Sequence, residues 1–71
     1  MTVLDLKGIA SSGGSLIVSA NDISVLDLKS LASTCRIKNV HLEIKDAGNL
    51  SALDCKGIAS CLPGYVIFDF T

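Results

Sequence analysis

Leu4 to Ser11 reads LDLKGIAS, Leu26 to Ser33 reads LDLKSLAS, and Leu53 to Ser60 reads LDCKGIAS. The blocks start 22 and 27 residues apart, and the first and third differ at one position of eight. Self-similarity at such a period marks one supersecondary unit packed against its copies. The 71 residues therefore read as a single domain of three repeats, 1–22, 23–49 and 50–71.

Each block opens with the same helix-start chemistry. Thr2-Val3-Leu4-Asp5, Ser24-Val25-Leu26-Asp27 and Ser51-Ala52-Leu53-Asp54 all follow [ST]-x-L-D. The hydroxyl can accept the backbone N–H three residues on, and the Asp can reach back to the N–H of the cap. The same carboxylate sits at the positive end of the helix dipole. Met1, Ile23 and Leu50 precede the caps at the spacing of a hydrophobic staple onto Leu6, Leu28 and Cys55. Three short helices follow from these signals. Their buried stripes are Val3, Leu6, Ile9 and Ala10, then Val25, Leu28, Leu31 and Ala32, then Ala52, Cys55, Ile58 and Ala59. Helices this short need packing partners to persist in water. Gly8, Ser30 and Gly57 share one mid-helix repeat position, where glycine weakens a helix, and close approach between neighbouring helices is the expected compensation.

After each block comes a turn (Ser12-Gly13-Gly14, Thr34 to Asn39, Leu62-Pro63-Gly64) and then a β-rich segment. Those segments are Ser15 to Ala20, the alternating Val40 to Lys45, and Tyr65 to Phe70. The five extra residues of the middle repeat are expected in its helix-to-strand connection, where insertions cost little. The order α-β-α-β-α-β, with strands joined through single helices, predicts an α/β fold: a three-stranded parallel sheet with three short helices on one face, solenoid-like.

The stretch from Val40 to Leu50, V-x-L-x-I-x-x-A-x-N-L, resembles part of a leucine-rich repeat, with Ala47 where that family places its turn Asn or Cys. The resemblance covers one repeat well and the other two loosely, and the closing Ala-Ser of each helix is outside the family pattern. It implies a short α/β solenoid architecture.

With Leu42 and Ile44 facing the helices, the repeat alignment places Ile17, Val66, Phe68 and Phe70 inside as well. The open face is then expected to carry Leu16, Val18, His41, Glu43, Lys45, Tyr65, Ile67 and Asp69. Its apolar members are too many for scattered exposure. The first and last repeats are expected to stand without polar capping elements, and bare edge strands invite pairing. Homo-oligomerisation by edge pairing or face packing is the expectation, two-fold symmetry being the commonest form.

Six Lys/Arg against seven Asp/Glu leave a net charge of −1, which argues against nucleic acid or an anionic membrane as a partner. The N-terminus lacks the basic and apolar regions of a secretory signal, and no apolar run approaches the roughly 18–20 residues of a membrane span. Three cysteines fit reduced thiols better than a disulfide framework, and a cytoplasmic location is expected.

Chemistry-bearing residues are sparse. His41, the one histidine, has Asn39 and Glu43 as same-face neighbours and reads as a solvated strand residue. Cys35, Cys55, Cys61 and His41 lack zinc-ligand spacing, and Cys55 stands where another repeat has a core Leu. Ser11-Ser12-Gly13-Gly14-Ser15 follows a helix and precedes a strand, the reverse of a phosphate loop, so it reads as a helix cap and turn. Lys7, Lys29 and Lys56 read as solvated charge on the helix surface. No cofactor, metal set or catalytic constellation is expected. The sequence points to a non-enzymatic protein-interaction module using Leu16, Val18, His41, Glu43, Tyr65 and Ile67, with Tyr65 as the anchor. A small inhibitor protein of phage or mobile-element origin, occluding a larger host enzyme, is the alternative. A minimal enzyme built on His41 or a cysteine is a third.

Overall fold

A computed structural model describes all 71 residues. Its elements are α1 (Val3–Ser11), β1 (Leu16–Ser19), α2 (Val25–Lys38), β2 (Leu42–Lys45), a 3₁₀ turn (Ala47–Asn49), α3 (Ala52–Cys61) and β3 (Val66–Phe68). The sheet is parallel, in the order β1-β2-β3. The helices lie side by side in chain order, α2 between α1 and α3. No helix is long and apolar enough to cross a membrane.

All three helix starts are capped by the expected hydroxyl. The N–H groups of Asp5, Asp27 and Asp54 donate to the Thr2, Ser24 and Ser51 side chains at 3.2, 3.2 and 3.1 Å. Only Asp5 returns the bond, accepting from the Thr2 backbone N–H at 3.1 Å. Asp is one methylene shorter than the Glu usual at this position, so its backward reach is marginal. Ile23 and Leu50 pack against the core as staples should, whereas Met1 is exposed. Helix α1 closes with Gly13 at φ 97°, its N–H bonded to the Ala10 carbonyl and the Gly14 N–H to the Ile9 carbonyl. That pair is a Schellman ending, which accounts for the Ser-Gly-rich segment as a cap.

The middle repeat differs from expectation. Thr34 to Lys38 continue α2 instead of forming a turn, and the helix ends at Asn39 in the left-handed conformation, φ 55°. The extension is driven by packing: Cys35, one turn beyond Leu31, is fully buried.

The core lies between helices and sheet. Leu28, Leu31, Ala32 and Cys35 of α2 meet Leu42 and Ile44 of β2, with Ile58 and Leu62 closing one side. In β1 the expected orientation is reversed. Leu16 and Val18 are 9% and 8% exposed and face the helices, while Ile17 is 65% exposed on the other side. The register explains the reversal: Leu16 pairs with Leu42, and Val18, not Ile17, pairs with Ile44. Repeats 1 and 2 are one residue out of phase because Asp46, in the left-handed conformation at φ 58°, is an extra residue between β2 and Ala47. A shift of one residue turns every side chain of a strand over. Val66 and Phe68 face inward as expected, but Phe70, beyond the end of β3, is exposed, its ring stacked on Phe68 at 6.0 Å.

Candidate functional site: the open sheet face

No helix covers the second face of the sheet. Side chains along a strand alternate faces, and parallel register aligns them in rows across the strands. The central row is Ile17, Glu43 and Ile67. Ile67 is 50% exposed, so two isoleucines flank the glutamate on a face open to water. On one side of this row the rings of His41 and Tyr65 meet at a centroid distance of 4.9 Å, tilted by 55°. On the other, the Lys45 ammonium lies 3.4 Å from Glu43 and 3.5 Å from Asp69. Its hydrogen bond to Glu43, with the Asp69 charge beside it, holds the Lys45 pKa above its usual value. The Thr71 hydroxyl and N–H, with Lys45 behind them, hold the Asp69 carboxyl below the usual range. These pairs are well hydrated, so they order the side chains more than they stabilise the fold.

Of the expected site residues, His41, Glu43, Tyr65 and Ile67 share this face. Leu16 and Val18 do not; they are sealed under the helices, and Ile17 takes their place. The imidazole of His41 packs, tilted, against Tyr65 while the Glu43 carboxylate pairs with Lys45, so the two are not arranged as a base and its orienting acid. No three His, Cys, Asp or Glu side chains converge on a point where a metal could bind. All three thiols are free; Cys35 is buried and burial pushes its pKa up, the opposite of nucleophile activation.

A cleft of about 430 Å³ lies at the C-terminal ends of β1 and β2. Its walls are mainly apolar (Val3, Leu6, Val18, Ile23), and Asp46 there already accepts a hydrogen bond from the Ser19 hydroxyl at 2.6 Å.

One surface was not anticipated. Leu4, Leu26 and Leu53 occupy one repeat position and are 79%, 77% and 78% exposed, a row along the outside of the helical layer. Each lies about 200° round its helix from the inward residue two places on (Leu6, Leu28, Cys55), so helical phase alone could have found the row.

No family model, no curated protein and no solved structure matches the chain.

Proposed function

We propose that the chain is a non-enzymatic protein-interaction module, binding a protein partner or its own copies through the open sheet face and the edge strands. The observation that carries this reading is the row Ile17–Glu43–Ile67 with the Tyr65–His41 ring pair beside it. Apolar and aromatic side chains surround one charge at the centre, and the Lys45–Asp69 pair forms a polar rim. The aromatic and apolar members and the polar border match an interface, and Glu43, which a dry interface core would disfavour, is already paired with Lys45. Tyr65 is the anchor, offering a large rigid ring held by its neighbour.

Tyr65→Asp tests the face directly. The substitution places a charge in the apolar patch without entering the core, since Tyr65 is exposed. The folded variant should lose capture of proteins that the wild-type chain retains as bait. Undiminished capture by a folded Tyr65→Asp chain would remove the face from the proposal.

The leucine row supports a second reading, in which the helical layer docks on a partner through Leu4, Leu26 and Leu53. A Leu26→Lys variant that loses capture while Tyr65→Asp retains it would move the binding surface there.

A further inference from the structure

We infer that copies of this chain stack end to end, the open flank of α3 and free edge of β3 in one copy docking on the open flank of α1 and free edge of β1 in the next. The inference rests on the proposed reading of the edge strands as binding surfaces, and names their occupant as a second copy.

The repeat supplies the geometry. Every helix has a following flank, marked by its Lys and the Ala three residues on, and a preceding flank, marked by its Gly or Ser and the apolar residue after it. Inside the chain these flanks meet. The stem of Lys29 lies across Gly57, its Cε 2.9 Å from where a Cβ would stand, and Ala32 and Ile58 are both fully buried. Two flanks stay open. Gly8 has no atom within 4 Å of its Cβ position, and Ile9 is 38% exposed where its counterparts Leu31 and Ile58 are sealed. At the other end Lys56 is exposed whereas Lys7 and Lys29 are half-buried, and Ala59 is half-buried whereas Ala10 and Ala32 are fully buried.

The leftover halves are complementary. The joint between α2 and α3 sets Lys29 over Gly57, with Ala32 and Ile58 both sealed in the core beneath it. A joint between copies would set Lys56 and Ala59 against Gly8 and Ile9, the same four residue types in the same order. The groove holding Gly8 and Ile9 also contains Asp5, a carboxylate for the arriving Lys56 ammonium. Continuing the observed register would place Val66 opposite Leu16, Ile67 opposite Ile17 and Phe68 opposite Val18 of the next copy. The two isoleucines left open on the sheet face would then be neighbours, and two unpaired strand edges would be satisfied together. The contact is heterologous: it uses a different surface on each partner and leaves one of each free, so assembly continues into chains or rings.

Two substitutions off the sheet face test it by sedimentation across a dilution series. Gly8→Arg blocks the α1 flank with bulk and a charge like that of Lys56; Ala59→Arg blocks the α3 flank. Wild type should grow past the mass of a dimer as concentration rises. Each variant should stay at 7.4 kDa, and an equimolar mixture should give a species of twice that mass through its one intact pair of ends. Far-UV circular dichroism checks that each is folded; should Ala59→Arg unfold, Lys56→Glu, which sets a carboxylate against Asp5, replaces it. A wild-type chain that stays monomeric to about 1 mM or stops at a dimer would overturn the inference, as would a folded variant that assembles like wild type or a mixture that stays monomeric. Because neither substitution touches Tyr65 or Ile67, such a result leaves the face to its own test with Tyr65→Asp.

Discussion

Val18 and Ile17 are consecutive residues of β1 that end in opposite environments, Val18 against the helical layer and Ile17 in water. An aspartate at each position should therefore have very different effects. A core of this size supplies no more than about 3–5 kcal/mol, and an unpaired buried carboxylate exceeds that margin. Val18→Asp should abolish the cooperative urea transition, whereas Ile17→Asp should fold with stability within about 0.5 kcal/mol of wild type.

Asp5 accepts the Thr2 N–H and lies against the Thr2 hydroxyl, which together hold its carboxyl below the usual range. A group whose folded pKa is depressed stabilises the fold fully above its unfolded pKa, and that contribution is lost as pH falls through the folded value. Acid should therefore loosen the start of α1 only below the ordinary carboxylate range. Thr2→Ala should move the Asp5 titration, followed by NMR, upward towards that range.

The Cys35 thiol is sealed beneath α2 with a raised pKa, while Cys55 and Cys61 are half-exposed. Alkylation at neutral pH followed by mass spectrometry should label Cys55 and Cys61 first. Cys35 should react at the rate of global unfolding and at full speed in urea.

Asn39 ends α2 at φ 55°, its N–H bonded to the Arg36 carbonyl. Asn tolerates this conformation better than residues whose side chain cannot bond locally. Asn39→Ala should cost about 1 kcal/mol, a fall of roughly 4–8 °C in Tm for a domain of this length. Asn39→Gly should equal or exceed wild type in stability.

Much of the fold is legible from short-range signals. The hydroxyl caps of Thr2, Ser24 and Ser51 and the stripes through Leu28, Leu31 and Ile58 are local, repeated three times, and they place the helices. The left-handed residue Asp46 is equally local but carries no composition signal strong enough to announce itself. That one residue sets Leu16 and Val18 against the helices and turns Ile17 to the open face, the reverse of what the repeat alignment implies. The extension of α2 through Thr34 to Lys38 has a different cause: the other two repeats turn soon after the Ala-Ser that closes each block, whereas burial of Cys35 carries the middle helix further.

At the candidate site, Glu43, His41, Tyr65 and Ile67 are readable from alternation along β2 and β3. Their grouping with Ile17, and the meeting of Lys45 with Asp69, depend on register. Sequence by itself determined the three-fold α-β order and the parallel sheet, because capping, helical period and strand alternation act over a few residues and recur in each repeat. Only the tertiary structure decided which face of β1 is buried and that Lys29 covers Gly57. Those outcomes depend on contacts between repeats, where one extra residue changes the phase of a whole strand.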